Sequence, residues 1–109
     1  MKIEFETIPR TVSPHFQGGE KEFIAHIYQN EQVKILRGCL IPGASIGRHT
    51  HQTNSEIIYI LSGIGTMLFD ETEEQLPAGS CHYCPKGHSH SLQNQGKEDL
   101  IFFAVVPEQ

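Results

Sequence analysis

Two histidines one residue apart, His49 and His51, are the first positions whose types and spacing could do chemistry. Alternate side chains of a strand share a face, so both imidazoles point the same way, roughly 6–7 Å apart at Cα. Glu56 stands five residues after His51, an odd offset that would throw it to the opposite face of a straight strand. The residues between, Gln52-Thr53-Asn54-Ser55, are polar turn formers, and a bend there can bring Glu56 back beside the histidines. His90 follows the turn sequence Pro85-Lys86-Gly87 and can deliver a third imidazole from another strand. Three neutral imidazoles and one carboxylate suit one divalent transition metal, Mn, Fe, Ni, Co, Cu or Zn. Four protein ligands on an octahedral ion leave two positions for water, dioxygen or a substrate. Glu56 is in addition a candidate base, if it leaves the metal and takes a proton. An isolated His-x-His pair is as often a surface or hydrogen-bonding pair; the wider spacing is what sets this one apart.

Those residues need strands to hold them. No apolar period of 3.6 residues runs long enough to make a helix. Short runs rich in Ile, Val, Phe, Tyr and Thr alternate instead with Gly, Pro, Asn and Asp. The pattern predicts strands near Phe23–Tyr28, Val33–Ile41, Arg48–His51, Glu56–Leu61, Gly65–Phe69, Ser80–Cys84, His90–Gln93 and Leu100–Val106. Pro42-Gly43, Ser62-Gly63, Pro77-Ala78-Gly79 and Asn94-Gln95-Gly96 are turn chemistry between them, because Pro presets φ and Gly supplies φ > 0. Many short strands broken by turns mean an antiparallel sandwich or barrel, so the fold class is all-β. The run Ile57-Ile58-Tyr59-Ile60-Leu61 is apolar on both faces, which predicts cover on both sides of that sheet. Residues 1–20 are the least regular and read as an N-terminal arm or edge strand expected to pack on a second chain. Residues 21–109 are expected to form the sandwich or barrel domain.

Composition narrows the partners. The chain has 109 residues, a single domain's length, and a formal net charge of −5. An acidic balance without a Lys/Arg cluster argues against nucleic acid and anionic membrane surfaces. The longest apolar runs fall far short of the ~20 residues that span a bilayer. An acid at Glu4 interrupts the place where a signal peptide would be apolar, so a cytoplasmic location is expected. Three cysteines, an odd number, predict free thiols rather than a disulfide framework. Cys81 and Cys84 lie three apart in a predicted strand and therefore face opposite sides. Seven histidines are the one compositional surplus.

The larger pattern Gly43-x5-His49-x-His51-x4-Glu56-x6-Gly63 resembles the first motif of the cupin superfamily. Gly79-x5-Pro85-x-Gly87-x2-His90-x3-Asn94 resembles the second. The string His-Thr-His-x3-Ser-Glu is also similar to that of germin-type manganese cupins. The resemblance implies a double-stranded β-helix, or jelly-roll barrel, with a metal inside. It implies His49, His51, Glu56 and His90 as the ligands and Asn94 as a structural residue. It also implies a homodimer, the usual state of small cupins. It does not imply one activity, since the superfamily holds dioxygenases, decarboxylases, isomerases, epimerases, seed proteins and ligand-sensing modules.

The remaining candidates are weaker. In the last strand one alternating set must face the cavity, and Phe102 with Ala104 is the expected lining. His88 is either a rim residue near substrate or a solvated turn histidine. His82, His26 and His15 have no motif support and read as structural or surface residues. Arg37 and Arg48 could meet an anionic substrate at the barrel mouth. Two functions fit: a metal-dependent enzyme acting on a small organic molecule by oxidation, decarboxylation or isomerisation, or a non-catalytic small-molecule binding or sensing module.

Overall fold

Where the turn chemistry stops the strands is where the structure stops them. The computed structural model describes residues 1–109 and consists of ten strands, β1 Thr11–Pro14, β2 Glu22–Gln29, β3 Val33–Leu40, β4 His49–Thr50, β5 Glu56–Ser62, β6 Ile64–Phe69, β7 Thr72–Pro77, β8 Cys81–Cys84, β9 Ser89–Gln93 and β10 Leu100–Pro107. They form a six-stranded sheet, β1-β2-β3-β10-β5-β8, and a four-stranded sheet, β4-β9-β6-β7, with every neighbouring pair antiparallel. The two sheets face each other as a jelly roll. Gly63 shows why glycine is needed at one corner. Its φ is +86°, and a Cβ there would sit 2.5 Å from the Asp99 carbonyl oxygen.

β10 lies in the middle of the larger sheet and shows the period of two most plainly. Leu100, Phe102, Ala104 and Val106 point inward and are buried, while Ile101, Phe103 and Val105 point out. Phe102 stacks on Phe23 at 5.9 Å, and both belong to a core of fourteen buried apolar residues between the sheets. Phe102→Ala should destabilise the fold by about 3–5 kcal/mol, read as a lowered midpoint in urea, because so large a buried ring leaves a cavity.

Three expectations need correction. The polar segment Thr72–Pro77 is a strand, although it carries Glu73, Glu74 and Gln75 in a row. It is an edge strand that buries only Leu76, so it lacks the apolar alternation that would have marked it. The strand expected over Arg48–His51 shrinks to His49–Thr50. The outer face of β5 is not covered within the chain: Ile57 is 41% exposed, Tyr59 42% and Leu61 48%. Only Ile58 and Ile60 of that run reach the core.

The N-terminal segment folds back onto its own sheet. β1 pairs with β2 as the sheet's edge, and Phe5 packs edge-on against Phe103. The imidazole of His26 hydrogen-bonds the Ile8 carbonyl through Nδ1 at 2.7 Å. Cys81 is exposed and Cys84 buried, on opposite faces of β8, and all three cysteines are free.

Candidate metal centre

Both sheets build the site. His49 on β4 lies directly opposite His90 on β9, as antiparallel partners. Hydrogen-bond register therefore brings together residues 41 positions apart in the chain. His51 stands just past the end of β4, and Glu56 opens β5 in the other sheet. The polar residues 52–55 turn the chain between the sheets, and the Ser55 amide is held by the Pro107 carbonyl at 3.2 Å. That crossing removes the odd-offset problem, because His51 and Glu56 no longer belong to one strand.

The donor atoms converge. Glu56 Oε1 lies 3.1 Å from His51 Nε2 and 3.0 Å from His90 Nε2. His90 Nε2 is 2.9 Å from His51 Nε2 and 3.2 Å from His49 Nε2. All four ligand-type atoms lie within 4.8 Å of one another. Glu56, His51 and His90 are buried and His49 is half-buried.

The opposite nitrogen of each ring is already engaged. His49 Nδ1 donates to the Gly47 carbonyl at 2.8 Å. A carbonyl can only accept, so the Nε2 of neutral His49 carries a lone pair toward the centre. His51 Nδ1 lies 2.5 Å from Asn54 Oδ1, and the Asn54 amide nitrogen donates to Glu108 Oε1 at 3.3 Å. The Glu108 carboxylate thereby settles which end of the Asn54 amide faces His51. His90 Nδ1 lies 3.1 Å from His82 Nε2. This is how ligating histidines are oriented around a metal, by a partner on the far nitrogen. His90 Nε2, with one proton or one lone pair, cannot satisfy three neighbours at once, whereas a cation among the four donors would satisfy all of them. The residues present therefore fit the ion that their types suggested.

Charge follows the same geometry. Burial pushes the Glu56 carboxyl up, but hydrogen bonds from His51 and His90 and the charges on those rings outweigh it and hold it at about 2. The Glu56 hydrogen bond raises His51 above the usual imidazole value, against burial. Burial lowers His49, and its bond to Gly47 only partly offsets this. Burial, with the charges of Glu56 and Asp70, pushes the Cys84 thiol up to about 12, so it stays protonated beside the cluster.

The site opens into a cavity of about 650 Å³. His49, His51 and Glu56 share its wall with Phe102 and with the charged residues Lys34, Arg48 and Glu108. Ala104 is buried on the same face of β10 but is not part of the cavity wall. His88 is not brought to the site either; its Nδ1 hydrogen-bonds Asp70 Oδ2 at 2.7 Å and its ring stacks on Phe69. Arg37 stands apart over the ring of Phe5 and against Glu6. Two cavity residues, Lys34 and Glu108, drew no reading from the sequence, and His82, expected as a structural or surface residue, stands behind His90. Lys34 lies seven residues after Ile27 in an ordinary strand, and nothing local marks it; the eight-residue spacing from His82 to His90 is equally silent.

The cupin domain family model matches residues 36–106. The chain is a cupin. The oxalate-binding protein of Thermotoga maritima is 35% identical to it over 107 residues, covering 93% of this cupin and 88% of that protein. The crystal structure of a predicted oxalate decarboxylase from Thermotoga maritima superposes with a TM-score of 0.93 at 29% identity over 100% of both chains. A sugar phosphate isomerase of the cupin superfamily from Silicibacter pomeroyi superposes at 0.81 with 21% identity, covering 100% of this cupin and 76% of that chain. At that identity the likeness is one of fold. No helix in this cupin is long and apolar enough to cross a membrane.

Proposed function

We propose that this cupin holds one divalent transition metal on His49, His51, Glu56 and His90 and uses it to bind a small dicarboxylate of the oxalate type. The observation that carries the reading is the convergence of four donors, with each imidazole's far nitrogen engaged, at the wall of an open cavity. A bound divalent ion would supply a Lewis-acidic centre with open positions for carboxylate oxygens. Lys34 and Arg48 balance the carboxylates of Glu56 and Glu108 in the same cavity, so a bound divalent ion would leave it net positive and favour a dianion although the whole chain is negative. The relatives described as oxalate-binding and as a predicted oxalate decarboxylase support the ligand class.

Titration calorimetry of Mn(II)-loaded protein with oxalate tests the proposal. Saturable binding at one site per chain is expected, with none in chelator-stripped protein. Equal binding with and without metal would refute it. Catalysis is a second reading, favoured by Glu108, a carboxylate in the cavity that is outside the donor set. In that reading oxalate and one proton yield formate and carbon dioxide, and carbon dioxide release separates turnover from binding.

The exposed outer face of β5 supports a homodimer. Ile57, Tyr59 and Leu61 stand beside Tyr83 of β8, which pairs with Ile57 and is also exposed. An apolar strip of this kind on a chain with two sheets is a surface for a second copy. Light scattering should show a dimer at micromolar concentration, and Tyr59→Glu should convert it to a monomer while the circular dichroism is unchanged. A wild-type monomer would rule this out.

A further inference from the structure

His90 is the one histidine of the donor set whose far nitrogen meets another imidazole instead of an oxygen. His82 Nε2 faces His90 Nδ1 at 3.1 Å, and His82 Nδ1 faces Glu74 Oε1 at 3.2 Å. The ring planes are 26° apart with centroids 5.3 Å apart, a separation that fits an N–H···N bond between the two facing nitrogens. His82 is buried, with Phe69 edge-on against it at 5.4 Å. Glu74 is half-exposed on the polar edge strand β7. A line of hydrogen-bonding groups thus runs from the surface to the donor cluster.

Each neutral ring has one proton, so the line has two arrangements. In the first, His82 donates from Nδ1 to Glu74 and accepts at Nε2 from His90 Nδ1, which leaves the His90 Nε2 lone pair facing the cluster. In the second, His82 donates from Nε2 to His90 Nδ1, and His90 Nε2 carries a proton toward Glu56. Only the first can ligate a cation. The second turns a His82 lone pair against the Glu74 carboxylate, which repels it. The two carboxylates therefore pull in opposite senses: Glu56 favours the proton on His90 Nε2, and Glu74 draws it away.

We propose that His82 and Glu74 are positioning residues for His90 and that they select the tautomer able to bind metal. The inference rests on the metal reading above. It gives a role to a histidine that no motif marks and to a carboxylate on an otherwise polar edge strand. Partners of this kind set metal affinity by about 10–100-fold in other metal sites.

The test is Co(II) affinity, measured by competition with a chromophoric chelator, in the wild type, His82→Leu, His82→Gln and Glu74→Ala. His82→Leu removes the acceptor for His90 Nδ1 and should weaken Co(II) about 10–100-fold. His82→Gln offers an amide oxygen in its place and should recover most of that loss. Glu74→Ala changes a half-exposed side chain, so it keeps the question answerable if His82→Leu does not fold, and should weaken Co(II) by about tenfold or more. Two-bond ¹H–¹⁵N spectra of the Zn(II) form should show His90 and His82 both protonated at Nδ1, a signature that a merely space-filling role would not require. Wild-type affinity in Glu74→Ala, or a His82 protonated at Nε2, would overturn the proposal while leaving metal binding intact. A wild-type protein that binds no Co(II) would overturn this inference and the metal reading together.

Discussion

Protein purified without a histidine tag and supplied with Mn(II) or Co(II) should hold close to one ion per chain, and His90→Ala should remove it. His90 Nε2 is the hub of the cluster, within 3.2 Å of donors from His49, His51 and Glu56. Its loss would take away one proposed ligand and open a space between the remaining three, so the effect should exceed the 10–100-fold typical of losing an outer partner. The same substitution leaves His82 Nε2 without its neighbour in a buried position, at a cost of about 1–3 kcal/mol to the metal-free fold. The two effects are separable. Metal content by elemental analysis should fall to background, while a urea melt of stripped protein shows only the modest loss. His49→Ala should act in the same direction with a smaller penalty to the fold, because His49 is half-buried and its far partner is a backbone carbonyl. Full occupancy persisting after both changes would show that the ligands are elsewhere.

Glu56→Gln is expected to divide binding from catalysis. The carboxyl is held at about 2, so at neutral pH it is an anion that two imidazoles hydrogen-bond. An amide is nearly isosteric but neutral, and its nitrogen would point a donor at one of two rings that also need an acceptor. Metal affinity should drop, and excess Mn(II) should restore occupancy. If the protein is a binding module, oxalate binding then survives, weakened only by the altered charge. If the protein is an enzyme in which Glu56 moves a proton, carbon dioxide release is abolished while metal and oxalate still bind, since an amide cannot serve as the base. Full-rate release by Glu56→Gln would leave the enzyme reading standing and remove Glu56 from proton transfer. The carboxylate also links to stability. In the metal-free fold its value is depressed from 4.5 to about 2, so its contribution is present above the unfolded value and is lost as pH falls through that window. Stripped Glu56→Gln should lack this part of the acid sensitivity.

Much of the architecture is legible in the sequence because strands announce themselves locally. β2, β3, β5, β6, β8, β9 and β10 follow from apolar alternation bounded by Gly and Pro, a signal that needs no knowledge of the partner strand. The family is legible for a related reason: its motifs combine turn glycines with donor residues at spacings set by strand length. β7 escaped because an edge strand with one buried residue has no alternation to read. The open face of β5 escaped because apolar residues on both faces of a strand say only that both are to be covered, not that the same chain covers them.

The donor set shows the same division. Residue types and spacing single out His49, His51, Glu56 and His90, since alternation places the first pair and the turn after His51 permits the third. Only the tertiary structure decided which histidines stand behind them. His88 lies two residues from His90 yet points to Asp70, while His82, eight residues away on another sheet, meets its ring. Glu108 reaches Asn54, and through it His51, from the far end of the chain. Those contacts arise from packing one sheet on the other. Packing brings together side chains whose separation along the chain carries no periodic trace, so no local pattern could have named them.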